Sequence, residues 1–494
     1  MSDILKSLPV MGKLKFLAKD AVYYGGLAAL GRFSSILTFP FLTRMLSKEA
    51  FGVLDIFLVI EMLFVFISIM GQDSALARYF YDDEDKLARR SICSASLLIQ
   101  LTLGLVSVAS LLFFRESIMA FYALPEAYEP LIWILALKVF LTIPLNYSIN
   151  LMKWSFARRG FALLTLGSST LVILAALIGA YFYSDPIKWI LLFQSGVLLV
   201  FGAIGLYLCR DWFGNIIQKD IMPTLFLFGL PYGAIALIAN LVPSVDRAMI
   251  SQALGVEMLA VYAVANRVAN LFRIGTTAFQ TAWGPFYMAS YETPNAPQSF
   301  DLIFRIYTLF AIAFFLIFSA TAFWFVPFIA GSQYASASVL SIYLALGILV
   351  QGIGWITGVG SFIAKKPLFD LLSYLAQLLS TFAGIVILLP IFGLLGVAIS
   401  VTIGYTIQAL TMTALGYYSY SLRFKLLKPV LSLVFATVIV SCVAWFDRSI
   451  LDHISINLVA VIFIMIILYG FNTSSADRTF IMSKIKNVMH RGDA

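Results

Sequence analysis

Long apolar stretches alternate with short polar connections along almost the entire chain. An α-helix needs about 20 mostly apolar residues to cross the hydrocarbon core of a bilayer, and about fourteen such runs are present. The pattern therefore predicts an all-α integral membrane protein with about 14 transmembrane helices. The predicted spans cover residues 21–43, 53–71, 92–114, 130–150, 161–183, 187–208, 222–245, 258–280, 302–328, 337–361, 369–390, 394–417, 429–446 and 454–471.

The first and seventh predicted spans share a pattern of special residues. Four residues recur in the same order and at the same spacing, namely Gly26, Pro40, Arg44 and Gly52, and then Gly229, Pro243, Arg247 and Gly255. Because six spans separate the copies, the repeat predicts two parallel six-helix halves with a cavity between them near the midplane, followed by two further helices.

The repeat and the apolar runs together predict five segments. They are an amphipathic cytoplasmic N-terminus (1–20), an N-terminal six-helix lobe (21–215), a C-terminal six-helix lobe (216–420), transmembrane helices 13 and 14 (421–472) and a cytoplasmic tail (473–494). The small residues of 347–361 predict a close approach to another helix, with a hinge as the alternative.

Composition agrees with a membrane protein and sets its orientation. Only 12% of the residues are charged, against about 25% in an average soluble domain. Most of the 33 Lys and Arg fall in connections on one side of the predicted membrane, which places both termini in the cytoplasm. The net charge of +8 reflects this bias, so we expect no nucleic-acid partner.

Other kinds of chemistry have little support in the sequence. The 3 Cys are far apart and there are only 2 His, which indicates neither a disulfide framework nor a metal site. No phosphate-binding loop of the G-x-x-x-x-G-K-[ST] type is present, so no ATP site is expected. We predict no cofactor and no enzymatic activity.

Polar and charged residues inside the predicted spans are the candidate functional residues, because they are costly in hydrocarbon. Arg32 lies halfway along the first span, and Lys138 lies near the middle of the fourth, with Asn146 on the same side. The eighth span carries a polar stripe with Arg267 at its margin, made of Asn266, Asn270, Arg273, Thr277 and Gln280. Such a stripe faces a cavity or another helix. In the simpler interpretation these groups pair with each other, for example through Glu61 in the second span.

Three parts of the sequence resemble polysaccharide-repeat-unit (O-antigen) flippases. These belong to the polysaccharide biosynthesis family, in the multidrug, oligosaccharidyl-lipid and polysaccharide exporter superfamily. The segments are DRAMISQALGVEMLAVYAVANRV (246–268), FLTRMLSKEAFGVLDIF (41–57) followed by GQDSALARYFYDDED (71–85), and AFQTAWGPFYMASY (278–291). The resemblance covers almost the whole chain.

The resemblance implies a transporter that moves undecaprenyl-diphosphate-linked oligosaccharides to the outer leaflet of a bacterial inner membrane by alternating access. A polysaccharide polymerase and chain-length machinery are its implied partners, besides the lipid-linked glycan and the bilayer. For such a substrate we expect Arg32, Lys138, Arg267 and Arg273 to attract the diphosphate, since arginine binds phosphate with two parallel hydrogen bonds. The polar residues Asn266, Asn270, Thr277, Gln280 and Asn146 would then line the sugar path.

The remaining charges have other predicted roles. Glu61 and Asp246 are candidates for ion coupling, and Arg44 and Arg247, as equivalent residues of the repeat, are candidates for an outer gate or a structural role. Neighbours in a helix do not face each other. We therefore expect Asp246 and Arg247 to have separate partners on other elements.

Two other functions compete with a flippase. A multidrug or cation exporter of the same fold would carry acidic residues in its cavity, where the sequence indicates Glu61 alone. A membrane enzyme of glycan assembly would carry a sizeable outer loop with catalytic groups, and the predicted outer connections are all short.

Overall fold

The computed structural model describes residues 26–27, 38–80, 85–214, 220–291, 296–364, 366–420, 422 and 424–446. Throughout these ranges the regular elements are helices. Ten helices of this part of the chain are long and apolar enough to span a membrane. The prediction of an all-α, multi-pass membrane protein is confirmed. Most of the first predicted span and all of the fourteenth lie outside the described residues.

Contacts divide the chain into two compact units, Met1–Ala263 and Val264–Ala494. The boundary falls inside helix α10, which belongs to the eighth predicted span. Helices of the first unit are α1 (Lys48–Ile69), α2 (Gln72–Tyr79), α3 (Lys86–Phe113), α4 (Arg115–Phe121), α5 (Leu131–Trp154), α6 (Arg158–Ala162), α7 (Ser168–Phe182), α8 (Pro186–Cys209), α9 (Ile221–Leu254) and the first part of α10 (Val256–Ala269).

The backbone turns sharply between α1 and α2, and this turn packs directly against α9. Met70 and Gly71 have positive φ angles of 40° and 71°, which end α1 in a left-handed turn. A Cβ on Gly71 would collide with the carbonyl oxygen of Gly229, and a Cβ on Gly233 would lie 2.7 Å from the carbonyl carbon of Met70. The two chain segments therefore touch backbone to backbone, which only glycine permits.

The described part of the second unit contains seven further helices. They are α11 (Leu271–Ser290), α12 (Ala296–Ala330), α13 (Ala337–Thr357), α14 (Val359–Ile363), α15 (Pro367–Phe392), α16 (Leu394–Ser419) and α17 (Leu427–Phe446). The last of these corresponds to the thirteenth predicted span.

The eighth predicted span is interrupted at Asn270, between α10 and α11. The side-chain amide of Asn270 donates to the carbonyl of Asn266 at 2.8 Å, and the N–H of Arg273 bonds to the carbonyl of Asn270 at 3.1 Å. The backbone N–H of Asn270 also bonds to the carbonyl of Asn266, at 2.9 Å, so the side chain adds a bond to this carbonyl, and the i→i+3 bond of Arg273 marks the turn between the two helices. Periodicity alone predicts one helix here because the polar face continues across the break.

Small residues bring α13 and α14 close to α16. A Cβ on Gly354 would lie 2.7 Å from Ala409 Cα, and a Cβ on Gly358 would lie 2.9 Å from Met412 Cβ. A Cβ on Gly360 would collide with the carbonyl of Gly416. The predicted role of 347–361 in close helix packing is confirmed.

Candidate functional site

The first unit contains a buried cluster of charges around Arg247. Arg247 Nε donates to Asp55 Oδ2 at 3.2 Å, and Nη1 donates to Asp246 Oδ1 at 2.9 Å. The Tyr262 hydroxyl donates to Asp246 Oδ2 at 2.7 Å, and the Arg247 guanidinium lies 5.2 Å from the centre of the Tyr262 ring. Each of the four residues is at most 5% exposed. Removing Arg247 from this cluster would leave two carboxylates buried without this cation.

Three helices bring this cluster together. Asp55 lies on α1, the Asp246–Arg247 pair on α9 and Tyr262 on α10. Gly255 has a positive φ of 84° and ends α9, so that α10 begins at the next residue. A Cβ on Gly52 would collide with the carbonyl of Val256, so this glycine lets α1 approach the start of α10.

The expectation that Asp246 and Arg247 have separate partners on other elements is confirmed, since Arg247 bonds to Asp55 and Asp246 to Tyr262. Two further features of the charges were not expected. Asp246 and Arg247 bond to each other, because a long guanidinium side chain bends back to its neighbour even though adjacent positions point apart on a helix. Glu61 is also not the only carboxylate buried in the second predicted span, since Asp55 is 5% exposed. Its position within the apolar run FGVLDIFLV was the available signal.

Arg44 and Arg247, equivalent in the sequence repeat, have different surroundings. Arg44 is exposed, and its Nη1 donates to the carbonyl of Pro40 at 2.8 Å. The contact is with the last turn of its own helical segment. The repeat therefore aligns the two arginines in sequence, but only Arg247 belongs to the buried cluster.

Lys138 of α5 is bonded to a carboxylate and an amide. Its Nζ donates to Glu61 Oε2 at 2.7 Å and to Gln194 Oε1 at 2.7 Å. The side chains of Lys138 and Glu61 are 5% and 15% exposed. The arrangement corresponds to the simpler interpretation, in which Glu61 neutralises Lys138 and the pair holds α1, α5 and α8 together.

Arg273 of α11, in the second unit, is bonded only to neutral groups within the described residues. Nε donates to Asn270 Oδ1 at 2.9 Å, Nη1 to Gln351 Oε1 at 3.0 Å and Nη2 to the Tyr405 hydroxyl at 2.9 Å. The guanidinium lies 5.9 Å from the centre of the Tyr405 ring.

The geometry of Arg273 matches that of an anion-binding group. A guanidinium has five N–H donors in a fixed fork, and the three bonds above leave two of them for a ligand. The side chain is half-buried. Neutral partners hold the guanidinium in place without cancelling its charge, so its electrostatic attraction for an anion is retained.

The other residues of the predicted stripe vary in exposure. Asn266 accepts a hydrogen bond from Asn270 Nδ2 at 3.2 Å and is half-buried, as is Thr277, while Gln280 is exposed. The structure thus joins Asn266, Asn270 and Arg273 in one hydrogen-bonded group.

Arg267 lies on α10, six residues before Arg273, and is half-buried. Burial raises the pKa of Tyr334, in the connection between α12 and α13, to about 12, and the positive charge of Arg267 opposes that rise. Arg267 is therefore electrostatically close to this connection. Asn146 is half-buried on α5, two helical turns after Lys138. Arg32 lies outside the described residues.

Gln194, Gln351, Tyr405 and Gln408 have roles that the sequence analysis did not assign. Each is a polar residue in a long apolar helix. Such residues are expensive in hydrocarbon, and this was the signal that was available. Their partners come from other helices, so one-helix periodicity does not reveal them.

The model of the polysaccharide biosynthesis protein family matches residues 41–339, more than half of the chain. The chain belongs to the polysaccharide biosynthesis protein family. The match spans α1 to the first turn of α13, and so includes both the Arg247 cluster and Arg273. The predicted family is confirmed. No curated protein sequence matches this family member.

Solved structures of two kinds of transporter share its fold. The lipid II flippase MurJ, in an inward closed conformation, is 14% identical with a TM-score of 0.69, covering 90% of this chain and 98% of MurJ. An inward-facing MATE-family multidrug resistance transporter of the MOP superfamily is 18% identical with a TM-score of 0.57, covering 81% and 97%.

A third similar structure differs in the chemistry of its pocket. It is a MOP superfamily transporter from Pyrococcus furiosus, whose binding pocket is described as having reversed polarity that suggests a different function. It is 17% identical with a TM-score of 0.61, covering 81% of this chain and 95% of the other. At these identities the likeness establishes the fold, and the substrate has to be argued from the residues.

Proposed function

We propose that this polysaccharide biosynthesis protein is a flippase for lipid-linked oligosaccharides. Its substrate would be an undecaprenyl-diphosphate-linked repeat unit, such as that of O-antigen. The protein would move it from the inner to the outer leaflet of a bacterial inner membrane by alternating access. The observation that carries this proposal is the half-buried Arg273, which is held by an asparagine, a glutamine and a tyrosine and keeps two N–H donors.

A diphosphate suits this site better than a cation does. Its oxygens accept the parallel N–H bonds of a guanidinium, and these charge-assisted bonds are about twice as strong as neutral ones. A cationic drug would meet the uncancelled charge of Arg273 and be repelled. The site therefore favours a flippase over the multidrug exporters that share the fold.

The amides and phenol around Arg273 suit the sugar part of the same substrate. Asn270, Gln351 and Tyr405 have both donors and acceptors, as sugar hydroxyls do. The prenyl chain needs no polar path, because it can remain in the lipid.

Several sequence predictions are kept as part of the proposal. We place both termini in the cytoplasm because of the distribution of Lys and Arg, and we keep Arg32 and Arg267 as further contacts of the diphosphate. Ion coupling at Glu61 or Asp246 stays a prediction. In this structure Glu61 is bonded to Lys138 and Asp246 to Arg247. Interaction with a polymerase or chain-length machinery also stays a prediction.

The proposal is tested by reconstitution of the purified protein in liposomes. We expect it to move a fluorescent polyprenyl-diphosphate-linked sugar across the bilayer and to leave a cationic dye such as ethidium where it is. Protein-free liposomes and liposomes with heat-denatured protein serve as controls. Transport of the dye without transport of the lipid-linked sugar would identify a multidrug exporter instead.

A further inference from the structure

Two buried glutamines extend the hydrogen bonds of Arg273 deeper into the second unit. Arg273 Nη1 donates to Gln351 Oε1 at 3.0 Å, and Gln351 Nε2 donates to Gln408 Oε1 at 2.9 Å. Gln351 is 4% exposed and Gln408 is fully buried. We call Gln351 and Gln408 the amide relay.

Arg273 fixes the orientation of both amides in the relay. Arginine has N–H donors and no acceptor, so Gln351 must turn its oxygen toward Arg273 and its nitrogen toward Gln408. Gln408 must then accept with its oxygen, which leaves its Nε2 pointing away as a donor. The assignment of oxygen and nitrogen in both amides follows from this chemistry.

The relay ends in a donor that lacks an acceptor among the described residues. Gln408 Nε2 is enclosed and makes no hydrogen bond. A buried polar group left in this way costs about 1–3 kcal/mol. Natural interiors contain few such groups, and each one calls for a specific explanation.

A second polar atom without a partner lies beside the relay. The Tyr307 hydroxyl of α12 is buried and makes no hydrogen bond within the described part of the chain. A Cβ on Gly352, which follows Gln351, would collide with this hydroxyl. Gly352 therefore leaves room for the Tyr307 hydroxyl, which lies against α13 one residue along from Gln351.

We propose that Gln408 and Tyr307 bind the first sugar of the substrate, the one attached directly to the diphosphate. Gln408 Nε2 would donate to an oxygen of that sugar, a hydroxyl or an acetamido carbonyl, while Arg273 holds the phosphate. The relay couples the two events, because a donor that is itself hydrogen-bonded to a cation is polarised and becomes a stronger donor. The contact forms in a conformation of the transport cycle in which the sugar has entered, since the donor is enclosed here.

This inference rests on the proposed function and gives the same site a determinant of specificity. A site built to hydrogen-bond its substrate rejects an analogue without the bonding group, because its own polar atoms are then left without partners. The protein should therefore distinguish a lipid diphosphate that carries a sugar from one that carries none.

The test compares two probes in liposomes, polyprenyl diphosphate alone and the same lipid bearing one N-acetylhexosamine. The wild type is expected to move the sugar-bearing lipid faster. Gln408→Met keeps the length of the side chain and removes the donor. It should slow transport of the sugar-bearing lipid about tenfold, as expected for one lost hydrogen bond at an enclosed donor, and change transport of the sugar-free lipid little.

Tyr307→Phe removes a single hydroxyl and still tests the sugar site if Gln408→Met fails to fold. It should change the ratio of the two transport rates in the same direction. Gln377→Met is the matched control, because Gln377 is a glutamine of α15 that is also buried, at 3% exposed, and lies outside the relay. The thermal unfolding temperature of each variant in detergent shows whether it is folded.

The possible outcomes separate this inference from the proposed function. If the wild type moves neither lipid, the proposed function fails and the sugar site fails with it. If the wild type moves both lipids and neither folded variant alters the ratio of rates, the flippase stands and the sugar site is wrong. In that case the enclosed donor bonds to water or to nothing.

Discussion

Cations within the apolar helices are held differently in the two units of this protein. In the first unit, Lys138 bonds to Glu61, and Arg247 bonds to Asp55 and Asp246. In the second unit, Arg273 bonds to two amides and a phenol. A cation paired with carboxylates is stabilised but attracts a further anion only weakly. A cation held by neutral dipoles also stays in place, and it keeps its electrostatic attraction for an anion.

The contrast belongs to the sites rather than to every charge in each unit. Arg305 of the second unit pairs with Asp301 one helical turn away, at 3.1 Å. What distinguishes Arg273 is therefore its set of neutral partners. The comparison predicts that mutations at the paired cations affect mainly stability, and mutations at Arg273 affect mainly transport.

The largest effect is expected for Arg247→Met. The change leaves Asp55 and Asp246 buried without their cation, which should lower the free energy of unfolding by about 3–5 kcal/mol. Chemical unfolding in detergent micelles measures this loss. Arg44→Met is the matched control, because Arg44 is exposed and should contribute less than about 0.5 kcal/mol. Equal losses of unfolding free energy in the two variants would mean that Arg247 contributes no more to stability than its repeat equivalent, Arg44.

Arg273→Gln should have the next largest effect, on transport rather than on stability. Two charge-assisted hydrogen bonds to the diphosphate are lost, at about 1.5 kcal/mol each, which corresponds to about 100-fold in rate. Liposome transport of the lipid-linked sugar measures it. Arg273→Lys keeps the positive charge but not the planar guanidinium, so its transport rate should lie between those of Arg273→Gln and the wild type. Full transport by Arg273→Gln would show that Arg273 does not contact the phosphate.

Lys138→Met tests the paired cation of the first unit. The side chain of Glu61 is 15% exposed and so less deeply buried than those of Asp55 and Asp246, and we therefore expect a loss of about 2 kcal/mol of stability, less than at Arg247. The double variant Lys138→Met, Glu61→Gln should recover most of it. If Lys138→Met instead abolishes transport in a protein of unchanged stability, Lys138 contacts the substrate as the sequence first suggested.

The smallest effect is expected for Tyr405→Phe. It removes the oxygen that accepts from Arg273 Nη2 and leaves the ring, so the guanidinium is held less firmly. One hydrogen bond to a charged group contributes about 1.5 kcal/mol at most here, so transport should fall by about fivefold to tenfold. A loss as large as that of Arg273→Gln would mean that Tyr405 itself contacts the substrate.

The fold was predictable because its determinants are local. A membrane span is set by about 20 consecutive apolar residues, so the apolar runs gave most helices to within a few residues. The break at Asn270 was missed because hydropathy and helical periodicity do not register a single turn in the backbone within a continuous polar face.

The site was only partly predictable because its geometry is tertiary. Helical periodicity placed Asn266, Asn270 and Arg273 on one face, and they are joined in the structure. Periodicity cannot show which helix lies opposite that face, so Gln351 and Tyr405 were missed. It also cannot separate a paired cation from an unpaired one, and Lys138 and Arg273 therefore received the same predicted role.

The contact of the Met70–Gly71 break with Gly229 and Gly233 has a consequence for the genetics of the protein. Every missense change at a glycine codon introduces a residue with a Cβ, and each of these positions has backbone or an amide in the space that the Cβ would occupy. Missense mutations at Gly71, Gly229 and Gly233 should therefore be lost from a library selected for function as consistently as stop codons are. Positions on the lipid-facing sides of the same helices should accept most apolar residues.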